Sequence, residues 1–525
     1  MALASSVLWL IAACAGGGEE PPRYRNVLFI SMDTTRADHL GLYGNAEVKT
    51  PAIDALGAEG VVFDACMSAA ATTLASHTSL LTGTYPLRHG VTRNGFQVSP
   101  ENELLQEVLR DAGFYCAAVL GSAALTHKSG LDQGFDHYDD DFDLAAEAGG
   151  RDQDQRSAAD VTERLLSHVD EVLQRRKSDQ SVPDRMFLVA HYFDPHAPYA
   201  PGAEMAQRYG VEPMVGDFDD IEQAVQSQQA RILRGPAAEG LTAAQANMPL
   251  GQQSVIQKGL NEPLVRRAAG VPTKMGRTLA RLYAGEVTRT DDAIGTLLAG
   301  LAARGVLKDT LVVLTADHGE TFWEHGNFWN HGLWVSQTDV HVPLILRFPD
   351  GRGAGRRVDT SVSGVDVMPT ILEALGLVEA RAGDVEPAHG RSLMPAIEGL
   401  ALGDRATFSE ATQPGPILEV APDGATLPWG NARKPQAVRL GDWKLIDAGY
   451  LGLQQLFHLG RDPGERTDLL APGASPLSEE ARGALADLQL ALSRWRASAS
   501  PKTSAFDPSQ IDTLRGLGYT EGQRK

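Results

Sequence analysis

Asn26-Val27-Leu28-Phe29-Ile30-Ser31-Met32-Asp33 is the stretch that decides the fold. Its apolar residues follow one another almost without alternation, the pattern of a strand buried on both faces of a parallel sheet. The run stops at a carboxylate, and Thr34, Thr35, Arg36 and Asp38 come next. The same arrangement returns downstream. Tyr115–Leu120 and Met186–Ala190 are apolar runs, the second followed by His191. Leu311–Thr315 leads into Ala316-Asp317-His318-Gly319-Glu320, and Pro343–Arg347 adds a further strand. Between them lie helical stripes: Leu104, Leu105, Val108 and Leu109 within 103–112, then Val161, Leu165, Leu166, Val169, Val172 and Leu173. This alternation predicts an α/β fold, a large mainly parallel sheet flanked by helices, over residues 24–400.

The rhythm breaks at 203–275, a stretch rich in Gln, Ala and Gly that reads as an insertion, either a surface excursion or a lid. It changes again near residue 400. Ala437–Leu440 and Trp443–Ile446 flank Gly441-Asp442, a hairpin signal, and a closing helix follows over Glu479–Ala497. Residues 401–525 are therefore expected to form a small α+β subdomain.

The chain has 525 residues, 43% apolar and 22% charged. That composition excludes a disordered chain, a fibrous repeat and a polytopic membrane protein. A net charge of −20 argues against nucleic acid as a partner. Three cysteines, Cys14, Cys66 and Cys116, make no disulfide framework and no CxxC metal pair. Residues 1–23 read as a leader and tether. The apolar run Leu3–Ala13 has the length of a signal-peptide core, and Ile11-Ala12-Ala13-Cys14 resembles a bacterial lipobox. The expectation is an exported lipoprotein, periplasmic or at the cell surface, touching the membrane only through a lipid on Cys14.

Three polar clusters follow strands or open a helix, and sites in open α/β sheets form outside the carboxyl ends of strands. Asp33 alone could be a helix cap. Asp317 beside His318 suits a divalent cation, and two strand-end acidic clusters strengthen that reading. The third cluster, Thr72-Thr73-Leu74-Ala75-Ser76-His77-Thr78-Ser79, is dense in hydroxyls. It could be a plain helix capped by Thr73 or Ser76, or a helix start where an alkoxide and an anion are both stabilised. Histidines crowd two further stretches, His191 to His196 and His325 to His331, which favours a site for a proton-demanding reaction.

With these residues in place, the chain resembles the sulfatases of the alkaline phosphatase superfamily. The resemblance rests on Asn26–Ile30 with Asp33-Thr34, Leu80-Leu81-Thr82-Gly83-Thr84-Tyr85-Pro86 and Asp194-Pro195-His196-Ala197-Pro198-Tyr199. Thr315–Glu320, Val342–Ile345, Gly390-Arg391-Ser392-Leu393, Leu456–Leu459 and Asp462-Pro463-Gly464-Glu465 continue it in order. It implies the alkaline phosphatase/sulfatase-like fold. It also implies that Asp33, Asp317 and His318 are metal ligands, with Thr34 where many members have a second Asp. The cofactor implied is one divalent cation, Ca²⁺, Mn²⁺ or Zn²⁺. His196 matches a residue that contacts the transferred group, and His331 one that serves the leaving group.

The sequence departs from the family at the nucleophile. Family members carry Cys or Ser, any residue, Pro, Ser, Arg, and oxidise the first residue to formylglycine. Here the slots hold Thr73, Leu74, Ala75, Ser76 and His77. The Cβ methyl of Thr73 blocks that oxidation. The Lys and His usual after the fourth strand are absent, since Leu120-Gly121-Ser122-Ala123-Ala124 stands there. Threonine nucleophiles do occur in phosphodiesterases and phosphoryl transferases of the superfamily. The expected function is an exported, metal-dependent, sulfatase-like hydrolase that cleaves a sulfate or phosphate ester through Thr73, with His77, His196 and His331 stabilising charge or moving protons. Its substrate would be an anionic ester on a glycan or lipid headgroup. Two alternatives stay open: a phosphodiesterase or phosphoryl-group transferase, and an inactive glycan-binding relative.

Overall fold

The structure, a computed structural model, describes residues 24–142, 155–197, 199–211, 273–322, 324–325, 329–332, 334–377, 390–411, 434–449, 452–504 and 507–510. The leader with Cys14 lies outside them, as do residues 212–272 of the expected insertion.

The opening run forms strand β1 (Asn26–Met32), with all seven residues buried. It is central in an eight-stranded sheet whose other members are β2 (Val61–Phe63), β3 (Phe114–Val119), β4 (His137–Asp139), β5 (Arg185–Tyr192), β6 (Thr310–Thr315), β7 (Leu344–Arg347) and β8 (Arg356–Val358). The spatial order is β8-β2-β7-β6-β1-β5-β3-β4. Every strand runs the same way except β7, which lies antiparallel to both of its neighbours. The sheet is thus mainly parallel, and the strand expected over Pro343–Arg347 is its reversed member.

The period of two in β1 divides the core. Val27 and Phe29 pack with helices α2 (Thr73–Thr82), α3 (Leu105–Asp111) and α6 (Val367–Ala374) on one face. Leu28, Ile30 and Met32 pack with α1 (Pro51–Glu59), α4 (Ala158–Ser178) and α5 (Thr273–Ala303) on the other. Helix α4 starts where Ser157 accepts a hydrogen bond from the Asp160 amide, and it buries Val161, Leu165, Val169 and Val172. At the ends of the expected insertion, residues 273–275 open the 31-residue helix α5 and Ala203–Arg208 is a short helix.

The C-terminal unit is an antiparallel sheet, β9 (Thr407–Glu410), β10 (Gln436–Leu440), β11 (Trp443–Ala448) and β12 (Leu453–His458), with β10 and β11 forming the expected hairpin. Helix α7 (Glu479–Ala497) covers one face through Leu488, Leu492 and Trp495 against Val438, Leu445 and Leu456. The other face, with Ile446, Ala448 and Phe457, packs on Met67, Ala71, Val335 and Val340 of the large domain. After α7 the chain returns to the large domain, where Ser500 and Lys502 amides bond to Leu87 and Arg88 carbonyls. No helix among the described residues is long and apolar enough to cross a membrane.

Candidate active site

Strands β1, β5 and β6 are in register, so Ser31, His191 and Thr315 form one polar row at the end of an otherwise apolar sheet. Asp33 and Asp317 lie just beyond that row. One ligand atom from each of Asp33, Asp317 and His318 lie within 4.8 Å of one another, and all three residues are fully buried. Residues nearly 300 positions apart thus converge because two neighbouring parallel strands end at the same level.

The tautomers are readable from the hydrogen bonds. A carbonyl only accepts, so His318 Nδ1–H donates to Gly319 O at 3.0 Å, leaving the Nε2 lone pair 3.4 Å from Asp317 Oδ2. His191 has the opposite form. Its Nδ1 accepts from the Gly121 amide, so Nε2–H donates to Asp33 Oδ2 at 3.3 Å. Burial holds both imidazoles well below their ordinary pKa, as neutral rings. Burial also raises both carboxylates, and the Asp317 charge raises Asp33 further.

At this strand end four buried polar atoms have no hydrogen-bond partner: Asp33 Oδ1, Asp317 Oδ2, His318 Nε2 and Thr34 Oγ1. Each buried orphan forfeits its bonds to water with nothing in return, and here three of the residues that carry them bring a ligand atom within 4.8 Å of one another. A divalent cation accounts for all four, since two carboxylates, an imidazole with its lone pair facing inward and a hydroxyl form a donor set that such an ion takes. Thr34 adds a second sign. It is a β-branched residue at φ 52°, a left-handed conformation that strains it. The turn is clamped: the Thr34 amide donates to Asp317 Oδ1 at 3.1 Å, and the Tyr283 hydroxyl from α5 donates to Thr34 O at 2.8 Å.

Thr73 is the first residue of α2 and is fully buried. Thr72, not Thr73 or Ser76, occupies the N-cap position, and it makes no side-chain cap bond. Asn94 does that work from outside the helix, its Oδ1 accepting from the Leu74 amide at 2.8 Å. Ser76 instead donates to Asp317 O at 2.6 Å, tying α2 to the strand end. His77 completes the tie. Its Nδ1–H donates to Thr73 O at 2.8 Å, its Nε2 accepts from Ser31 Oγ–H at 2.8 Å, and Nδ1 is 3.7 Å from Asp317 Oδ2. Both nitrogens of His77 are therefore engaged within the protein, and burial keeps the ring neutral.

His196 and His331 gather on the other side. Their ring centroids are 5.0 Å apart, and His331 is 4.4 Å from His318. His196 stacks on Phe193, and its Nδ1–H donates to Ala197 O. His331 Nδ1–H donates to Glu320, whose other oxygen accepts from the Tyr199 hydroxyl at 2.9 Å. Burial pushes each of these histidines down to about 3.

The eight residues singled out from sequence thus lie on one end of the sheet. Ser31, His191, Glu320, Tyr283 and Asn94 were not among them. Ser31 and His191 carried a faint signal, as polar residues ending apolar strands. Asn94 and Tyr283 carried none, because their contacts depend on distant packing.

The sulfatase family profile matches residues 25–377. An N-acetylglucosamine-6-O-sulfatase of Bacteroides thetaiotaomicron is 25% identical over 433 residues, covering 74% of this chain and 73% of the relative. A multifunctional alkaline phosphatase superfamily protein of Trinickia caryophylli is 25% identical over 426 residues, covering 71% and 76%. In fold, the crystal structure of a phosphonate monoester hydrolase of Agrobacterium radiobacter matches with a TM-score of 0.61 at 23% identity, over 90% of this chain and 96% of that one. The profile spans the strands that carry Asp33, Asp317 and His318 together with helix α2, and on that match the chain belongs to the sulfatase family of the alkaline phosphatase superfamily.

Proposed function

We propose that this protein is an exported, metal-dependent ester hydrolase that uses Thr73 as its nucleophile and prefers phosphorus esters to sulfate esters. The observation that carries the proposal is the set of orphaned donor atoms on Asp33, Thr34, Asp317 and His318 beside the helix that begins at Thr73. A divalent cation there would supply Lewis acidity, lowering the pKa of a nearby hydroxyl and polarising the ester oxygen.

The chain's own residues do the rest. Thr73 Oγ1 attacks phosphorus and the ester oxygen leaves as an alcohol, taking a proton as it goes. Water then hydrolyses the phosphothreonine and restores the hydroxyl. His196 and His331 are neutral rings with their N–H on Nδ1, so they serve to take up the Thr73 proton and pass it to the leaving oxygen, with Glu320 fixing the His331 ring. His77 and Ser31 hold Thr73 and the Asp317 strand in register. A formylglycine hydrate expels sulfate through its second hydroxyl, whereas a threonine ester must be cleaved by attack at phosphorus or sulfur. Threonine nucleophiles of the superfamily act at phosphorus, and that sets the preference. The relatives' names include both an N-acetylglucosamine-6-O-sulfatase and a phosphonate monoester hydrolase, which supports an anionic ester as substrate; a glycan or a lipid headgroup would carry it.

The test is a screen of the purified protein on an aryl sulfate, a phosphate monoester, a phosphodiester and a phosphonate monoester, each with Mn²⁺, Zn²⁺ and Ca²⁺. Phosphorus-ester turnover should exceed sulfate-ester turnover. Robust sulfatase activity that survives Thr73→Ala would overturn both the nucleophile and the preference. Transfer to an added alcohol in place of water would make the protein a transferase, and a protein that retains no metal would be the inactive binding form. Export is tested separately: Cys14→Ser should abolish lipid labelling and release the protein from membranes.

A further inference from the structure

Lys444 sits on β11 with its side chain on the same strand face as Ile446 and Ala448, the face turned to Met67, Val335 and Val340 of the large domain. It is fully buried, and Nζ is 2.7 Å from Glu465 Oε1, which is equally buried. Removing two such ions from water costs several kcal/mol each, so the pair is a poor choice if stability alone were at stake. Glu465 is also strained, at φ 50°. Its second oxygen, Oε2, accepts from the backbone amide of Gln337 at 2.7 Å, across the boundary between the two units.

Gln337 opens the short turn of helix Gln337–Val340, which is fastened along its length to the metal-side loop. The Gly319 amide donates to Asp339 O at 2.7 Å. Thr321 and Thr338 hydroxyls bond at 2.7 Å, and Ser336 and Thr321 both donate to the Asp339 carboxylate. Gly319 has no room for a side chain, because a Cβ there would stand 2.0 Å from Thr338 O. The Ser68 amide bonds to Val340 O, and Ser68 Oγ donates to Asp317 O.

We infer that Lys444 and Glu465 are positioning residues of the metal site: the ion pair of the C-terminal sheet fixes residues 336–340, and these fix Asp317 and His318 at the spacing a cation needs. The inference rests on the proposed metal-dependent reading. It gives a role to Trp443-Lys444-Leu445-Ile446 and to Asp462-Pro463-Gly464-Glu465, stretches that reach no reacting atom.

The test removes single links in the full chain. Gln337→Pro deletes the amide that bonds Glu465, together with a Gln337 Nε2 contact to Met67 Sδ at 3.7 Å that Gln337→Ala removes by itself as the control; proline is tolerated at a first helical position, with Ser336 already extended at ψ 168°. Lys444→Met/Glu465→Leu removes both charges together, so no lone buried ion is left. Bound Mn²⁺ is measured by equilibrium dialysis against graded chelator, beside the melting temperature of the metal-free protein. Loss of groups that orient metal ligands typically weakens metal binding about 10- to 100-fold, and Gln337→Pro should fall in that range. The double variant should do the same even if it melts no lower than the wild type. Folded variants with wild-type Mn²⁺ affinity would overturn the inference. A wild-type protein that binds no Mn²⁺, Zn²⁺ or Ca²⁺ would instead overturn the functional reading. If the double variant does not fold, Gln337→Pro alone decides.

Discussion

Asp317 shows how much one residue is asked to do. One oxygen accepts from the Thr34 and His318 amides, and the other is left without a partner in a buried site that also holds Asp33. Two carboxylates this close repel unless a cation lies between them, so the metal-free protein bears an electrostatic cost. Asp317→Asn keeps the two amide bonds and removes one of the like charges. The expected result is a metal-free protein that melts no lower than the wild type, with the metal-induced rise in melting temperature gone and turnover lost. A variant that still gains stability from Mn²⁺ would show that Asp317 is not a ligand. Thr73→Ala should separate the two roles, retaining Mn²⁺ while turnover falls by at least about 10³-fold, as is usual for loss of a nucleophile. The importance of Asp33 and Asp317 was legible because a carboxylate directly after an uncharged, buried strand is costly to keep there without a cation. The Ser31–His77 bond was not, since it depends on which face of β1 meets α2.

At the scale of elements, the sequence spoke most clearly where burial was uniform. Strands β1, β3, β5 and β6 and helix α7 fall within a residue or two of where apolar pattern placed them. The edge strands β4 and β8, and β2 beside β8, are three residues long, too short to show any period. Helix α5 was obscured by the weakly patterned stretch before it, although Leu279, Tyr283, Val287, Ile294, Leu297 and Leu301 are buried along it. The edge also carries a titratable device. His137 of β4 stacks on His168 of α4 at 3.7 Å, and Tyr115 of β3 bonds His168 Nε2. Burial, and then the His137 charge, push His168 down from 6.5 to about 4. A histidine with a lowered folded pKa contributes stability that is present above its unfolded value and is lost as pH falls through the window from 6.5 to about 4. The melting temperature should therefore drop across that window, and His168→Phe, which keeps the stack, should flatten part of the drop. An unchanged slope would show that the acid sensitivity lies elsewhere.

For the whole molecule, the question is whether the two sheets unfold separately. The C-terminal sheet turns Ile446, Ala448 and Phe457 onto Met67, Val335 and Val340, and it buries a charged pair against the same segment. Opening that boundary would expose apolar surface and two ions' partners at once, so neither unit has a cheap way to let go of the other. A ligand that binds only the folded state stabilises it by about 2.7 kcal/mol at a hundredfold excess over its dissociation constant. The donor atoms for such a ligand all lie in the large domain. If the molecule is one cooperative unit, Mn²⁺ bound there should raise the melting of the C-terminal sheet as much as that of β1, β5 and β6. Calorimetry should then show one endotherm that moves up by a few degrees with added Mn²⁺ and down with chelator. Amide exchange in β10 and β11 should slow in step with exchange in β1. A second endotherm at a metal-independent temperature, with fast exchange confined to residues 407–458, would mean that the C-terminal sheet is a passenger, and the path from Lys444 to His318 would then carry nothing.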